Sequence, residues 1–153
     1  MEYNRDKVRK IVSEMNSAVA RLEDLQKLPQ EAFMADTHKI GSAKYSLIVA
    51  TEGAVDPCNH VIAKNGFRTA EDYADTFKVM QEQGAFDHDF TNNLIQMARF
   101  RNRLVHIYWD IDDQELFRII QTRLGDIKRF MKDCGAFIAR FSSVTLSRLM
   151  ARP

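Results

Sequence analysis

The 153-residue chain predicts an all-α fold, an antiparallel bundle of about five helices, from three observations. Six glycines and three prolines are too few for the many turns of an all-β sandwich of this length. Apolar residues recur at three- and four-residue steps over most of the chain, the period of a helix with one buried face. A composition of 45% hydrophobic and 28% charged residues is globular and excludes collagen-like, disordered and membrane-spanning classes.

The elements follow in order. Val8, Ile11, Val12, Met15, Val19, Leu22 and Leu25 stripe a first helix from Asp6 to about Leu28, closed by Pro29. A second begins near Asp36, a natural N-cap, and carries Ile40, Leu47, Ile48, Val55, Cys58, Val61 and Ile62 to a stop at Asn65-Gly66. Pro57 lies inside it, so a kink near Gly53 to Pro57, or two abutting helices, is expected. Thr69 to Asp72 reads as the start of a short third helix with Tyr73, Phe77 and Met80, ending at Gln83-Gly84. A fourth starts near Asp87 to Asp89 and runs through Phe90, Leu94, Met97, Phe100 and Leu104 towards Trp109. Asp112 and Glu115 have capping-box spacing and open a long fifth helix striped by Leu116, Ile120, Leu124, Ile127, Phe130, Cys134, Phe137 and Phe141. The chain divides into a helical domain, 1–141, and a basic tail, 142–153, in which Arg148 and Arg152 have no acidic neighbour and which reads as a frayed end or an arm.

Charge and targeting signals narrow the function classes. Twenty-two Lys+Arg against 21 Asp+Glu leave a net charge of +1, so no global field would hold a polyanion and any nucleic-acid contact must be local. The two cysteines, Cys58 and Cys134, suit a reducing compartment and imply no disulfide framework. The charged N-terminus lacks the pattern of a secretion signal. Apolar runs such as Leu47-Ile48-Val49-Ala50 fall far short of the roughly 20 residues that span a bilayer. A cytoplasmic protein without a membrane contact is expected.

The chemistry concentrates in Arg99-Phe100-Arg101-Asn102-Arg103-Leu104-Val105-His106-Ile107-Tyr108-Trp109-Asp110. Arg99 and Arg103 share a helix face, whereas Arg101 lies about 200° from Arg99, so the three cannot form one simple patch. Arg101 and Tyr108 are nearly two turns apart and face the same way if the helix persists. His106 lies about 140° from Arg101. The two therefore share a site only where the helix ends near His106 or where a second protomer completes it. An arginine and a histidine converging on one phosphodiester are able to cut RNA without a metal. Imidazole moves the proton of the ribose 2′-hydroxyl or of the leaving oxygen, and guanidinium stabilises the charge developing on phosphorus, giving a 2′,3′-cyclic phosphate. Spacing alone favours a solvated arginine and an interface histidine, because an arginine and a histidine on one helix are a common coincidence.

Glu52 and Asp56 lie one turn apart, continued by Asn59 and His60. They read either as a polar network at the expected kink or as a carboxylate that fixes the histidine tautomer. Asp56, Cys58 and His60 do not share a face, so no metal site is expected. Gly-rich phosphate loops, Gly-x-Ser-x-Gly elbows and His-Glu-x-x-His motifs do not occur, which removes kinase, hydrolase and zinc-protease readings. Trp109 reads as an interface anchor or as a platform for a stacked base.

Arg101-Asn102-Arg103-Leu104-Val105-His106-Ile107-Tyr108 matches the R-x4-H-x-Y motif, and with it the chain resembles the HepT-like toxins of the HEPN superfamily. The likeness spans about residues 5 to 140 and extends to Glu52, Asp56 and Asn59-His60-Val61-Ile62, to the Met97-Ala98-x-Phe100-Arg101-Asn102 approach and to the Asp110-Ile111-Asp112 exit. It implies a dimeric HEPN-like bundle in which Arg101 and His106 of both protomers line one RNA-cleaving cleft, with Asn102 assisting. It further implies the toxin of a type VII toxin–antitoxin pair, without a cofactor or a DNA substrate. Its partner would be a minimal nucleotidyltransferase antitoxin, MntA, that silences it by transferring AMP to Tyr108. The alternative is a non-catalytic helical subunit that only docks such a transferase.

Overall fold

In the computed structural model, which describes residues 4–150 with the side chains of Tyr108 and of 141–150 left aside, the central element is the long helix over Thr37–Lys64. Six α-helices form in all among the described residues: α1 (Arg5–Gln26), α2 (Gln30–Met34), α3 (Thr37–Lys64), α4 (Tyr73–Glu82), α5 (His88–His106) and α6 (Asp113–Met150). A single 3-10 turn, Tyr108–Asp110, joins α5 to α6. No strand forms among the described residues, and none of their helices is long and apolar enough to cross a membrane.

Local sequence sets the ends. Asp36 caps α3 by accepting from the amides of His38 (2.9 Å) and Lys39 (3.3 Å). Asp72 and Asp87 cap α4 and α5 in the same way, each accepting at 2.7 Å from the amide three residues on. Gly66 and Gly84 take φ of +65° and +87° just past the ends of α3 and α4, where a side chain would be strained. Asn4 caps α1, and its own amide donates to Nε2 of His60 at 2.9 Å. Burial, then the charges of Lys7 and Lys64, hold that imidazole below its ordinary pKa, which keeps it neutral and able to accept.

Helix α3 touches every other α-helix. Its buried small residues Ala43, Ser46, Ala50 and Ala54 let α1 lie close. At Gly53 the approach is closest: a Cβ there would fall 2.5 Å from Cγ of Met15. Ile11, Met15, Ala18, Val19, Leu22 and Leu25 are the α1 face that fills this seam. Phe77 of α4 and Phe130 of α6 meet edge to face at 6.2 Å, and Phe86 reaches Phe130 at 5.6 Å, so one aromatic cluster ties the far ends together. Cys58 and Cys134 are buried and free, and the neighbouring Cys134, then burial, push the Cys58 thiol well above its usual range.

Several expectations change. Of the two outcomes expected at Pro57, two abutting helices do not form: Thr37–Lys64 is one helix with Pro57 inside it. The segment after Pro29 forms α2, whose five residues are too short to show a period; Phe33 buries there and packs on Phe117 at 5.4 Å. The fifth helix of the sequence reading is the sixth here, and it continues to Met150, so the backbone of 142–150 is helical rather than frayed. Residues 151–153 of the proposed tail lie outside the described residues. At the start of α6, Asp112 accepts from the Gln114 amide at 2.9 Å, while Glu115 is spent on Arg103 instead of closing a capping box.

Candidate active site at the end of α5

Asp87 fixes where α5 begins, and nineteen residues later the helix ends on His106, with the Ile107 amide closing the last turn on the Arg103 carbonyl at 2.9 Å. The chain then tightens into the 3-10 turn that holds the backbone of Tyr108; the tyrosine side chain lies outside the described residues. The helix does end at His106, yet Arg101 and His106 both lie within it, still about 140° apart around its axis, so the condition that remains is a second protomer.

Arg101 is the most constrained cation of the motif. Its side chain is 14% exposed, Nη2 makes an ion pair with Glu52 of α3, and Nη1 donates to Oδ1 of Asn102 at 3.3 Å. The guanidinium lies over the ring of Tyr73, the first residue of α4, 4.8 Å from its centroid. Nε is buried and has no hydrogen-bond partner among the described residues. Three helices therefore hold one guanidinium: α5 carries it, α3 supplies the carboxylate and α4 the aromatic face. An isolated buried charge is expensive, and the Glu52 pairing with the cation–π contact is what makes the position tolerable.

The neighbouring arginines are used differently. Arg103 makes a two-pronged bond to Glu115, at 2.9 and 3.0 Å, that clips the end of α5 to the start of α6. The Arg103 guanidinium holds the Glu115 carboxyl below the usual glutamate range, its hydrogen bonds being the main cause. Arg99 is exposed and makes no ion pair among the described residues. All three arginines line one groove, yet their charged heads go to three different places.

The structure brings Glu52, Asn102 and Arg101 together and leaves the other singled-out residues apart. His106 is exposed, and among the described residues no hydrogen bond joins it to Arg101, Glu52 or Asp56. Asp56 faces solvent. Asn59 accepts from the Thr76 hydroxyl at 3.0 Å, linking α3 to α4, and His60 serves the α1 cap. Glu52 therefore orients the arginine rather than the histidine. Tyr73 is visible in the sequence only as one residue of a short helix; an aromatic residue opening a helix carries no signal of which distant cation it will meet. Val105, Ile107 and Trp109 are 38%, 41% and 72% exposed beside His106, an apolar fringe at the mouth of the site. Among the described residues no three His, Cys, Asp or Glu side chains cluster to hold a metal ion.

The site is thus an Arg-x4-His stretch at the end of one helix of an all-helical bundle, its arginine braced by a second helix and by an aromatic ring from a third. The family model described as Ribonuclease HepT-like matches residues 15–134. The chain belongs to the HepT-like family. Among solved structures it is similar to a tri-AMPylated Shewanella oneidensis HEPN toxin in complex with MNT antitoxin, at 19% identity over 87% of this chain and 99% of that one, with a TM-score of 0.80. A toxin–antitoxin structure with AMP-PNP matches at 18% identity over 86% and 99%, TM-score 0.80. YutE from Bacillus subtilis, described as a cytosolic protein of unknown function, matches at 17% identity over 88% and 90%, TM-score 0.77. At such identities the likeness establishes the fold. No curated protein matches the sequence significantly.

The bracing of Arg101 is directly measurable. Arginine-selective labelling with phenylglyoxal, read by mass spectrometry, should modify Arg101 much more slowly than exposed Arg99. Glu52→Ala and Tyr73→Leu should each raise the Arg101 rate severalfold, while Tyr73→Phe, which keeps the ring face, should leave it near wild type. Equal labelling of Arg101 and Arg99 in the wild type would show that no such bracing exists in solution.

Proposed function

We propose that this protein is a metal-independent endoribonuclease, the toxin of a toxin–antitoxin pair, acting as a homodimer and silenced by AMP transfer to Tyr108. The observation that carries the reading is a braced guanidinium, Arg101, five residues before a histidine that ends its helix. Membership of the HepT-like family and the fold shared with HEPN toxins crystallised with MNT antitoxin support it.

The chemistry follows from the groups present. The His106 imidazole takes the proton of a ribose 2′-hydroxyl as that oxygen attacks phosphorus. The O5′–P bond breaks, and the leaving O5′ receives a proton, from the partner protomer's imidazolium in a shared cleft. The products are a 2′,3′-cyclic phosphate and a 5′-hydroxyl. Arg101 holds the phosphate and stabilises the extra negative charge of the pentacoordinate state; its bracing means little reorganisation is needed as that charge develops. Asn102, bonded to Arg101, orients the guanidinium or the phosphate beside it. The exposed apolar fringe of Val105, Ile107 and Trp109 beside His106 is the surface on which the second protomer would close, bringing both histidines to one cleft.

The backbone turn that follows α5 puts Tyr108 two residues from His106. An adenylate on its hydroxyl adds a bulky anion at the mouth of the cleft, which blocks the RNA path and repels phosphates. In this reading the antitoxin acts as a nucleotidyltransferase using ATP, the adenylate going to the phenol oxygen and pyrophosphate leaving.

RNA cleavage in EDTA should be strong for the wild type and fall by roughly a hundredfold or more in Arg101→Ala and His106→Ala, each checked for folding and dimerisation. Equal activity in all three would remove the proposed site, and no activity in any would favour the docking subunit without catalysis. Incubation with the partner transferase and ATP should add AMP mass to the wild type and none to Tyr108→Phe. Labelling that survives this substitution would place the acceptor elsewhere.

A further inference from the structure

Helices α5 and α6 both pack on α3 but touch each other little, and between them runs a groove of about 530 Å3 that reaches down to Leu47 and Thr51 of α3. Its floor is apolar, with Met97, Phe100 and Ile119 only half-buried. Its rim is basic. Five arginines line it against two carboxylates, Glu115 and Asp126. Glu115 is taken by Arg103, Asp126 lies 3.7 Å from Arg123, and Arg101 is held by Glu52 from outside the groove. Arg99 on the α5 wall and Arg118 on the α6 wall are exposed and have no ion pair among the described residues. Asn93 and Gln96 add side-chain amides, each a donor and an acceptor on one group.

We propose that this groove binds a single-stranded stretch of the RNA substrate, with bases against Met97, Phe100 and Ile119 and phosphates on Arg99 and Arg118. The proposal rests on the ribonuclease reading and extends it. Arg101 lines the groove as well as forming the braced site, so a strand lying along α5 from Asn93 to Arg101, roughly 12 Å at 1.5 Å per residue, delivers its next phosphate to Arg101. An apolar floor between two cations suits a chain whose bases are unstacked and whose phosphates flank them; a duplex turns its base faces inward and gains nothing from the floor. The volume falls within the ordinary range for small-ligand sites, about 300–1,000 Å3. A second copy of this chain is the less fitting occupant: none of the exposed apolar side chains Val105, Ile107 and Trp109 lines the groove, and the uncompensated charge calls for an anion.

Nucleic-acid affinity is measured by fluorescence anisotropy with a short unpaired 2′-O-methyl oligoribonucleotide, which cannot be cleaved, and with its duplex. The wild type should bind the single strand roughly tenfold or more tighter than the duplex. Arg99→Glu/Arg118→Glu should weaken single-strand binding roughly tenfold or more and make the log affinity against log salt slope shallower by about 1.4, two phosphate contacts of single-strand type. A 4-thiouridine strand should cross-link to α5 peptides containing Met97 and Phe100. Unchanged affinity and slope in the double variant, with the cross-link elsewhere, overturns the proposal even if RNA is cut. A double variant that instead dissociates by light scattering, with single-strand affinity intact, makes the groove an interface between copies and also overturns it. Binding that behaves as predicted in a protein that cuts no RNA leaves the groove standing and removes the nuclease reading alone.

Discussion

The constraint on which the rest depends is that one helix, α3, has to serve three neighbours at once. Its small residues Ala43, Ser46, Ala50 and Ala54, with Gly53 among them, admit α1 at close range, and its Leu47 and Thr51 form the bottom of the groove between α5 and α6. From the same stretch Glu52 reaches the guanidinium of Arg101. Moving α3 by a fraction of a turn would lose the α1 seam and the ion pair together, because packed cores shift between discrete arrangements rather than deforming smoothly. The stability of the bundle and the orientation of its functional cation are therefore set by one element.

The second dependence is on where α5 stops. Arg101 and His106 both lie within α5, about 140° apart around its axis, so a second protomer is needed to bring an arginine and a histidine together. Ending the helix on His106, with a 3-10 turn immediately after, places the histidine and the backbone of Tyr108 at an exposed corner, while the helix body keeps Arg101 braced inside. The Arg103–Glu115 clip secures that corner to α6. In the proposed ribonuclease, a rigid arginine and an accessible histidine would divide the labour of an acid–base cleavage: the group assigned to stabilise charge is preorganised, and the group assigned to move protons is reachable.

Much of this was legible in the amino-acid order, and what was not has physical reasons. The long periodic segments and the aspartate caps at Asp36, Asp72 and Asp87 announce their helices because period and capping are local properties. Helix α2 was invisible because five residues make little more than one turn. Pro57 suggested a break that tertiary packing overrides. At the site, Arg101, Asn102 and His106 stand out as a motif, but the partner of Arg101 is a question of which helix lies beside it. Glu52 reads as part of a polar network or as a carboxylate for the histidine, and it is found on the arginine; Tyr73 belongs to a short helix whose sequence does not say which cation it will meet. Near-neutral net charge, which argues against a general polyanion binder, is compatible with two exposed arginines, Arg99 and Arg118, that make no ion pair among the described residues and share one groove.

The central claim is that a guanidinium and an imidazole, with no metal, drive attack by the ribose 2′-oxygen. Its most direct test is the chemistry of the cut ends, with cleavage run in EDTA on an RNA strand and on the same strand carrying one 2′-deoxynucleotide at the cut position. The account predicts a 2′,3′-cyclic phosphate and a 5′-hydroxyl from the first and no cut at that position in the second. A 3′-hydroxyl with a 5′-phosphate, or cleavage that ignores the missing 2′-hydroxyl, would contradict it.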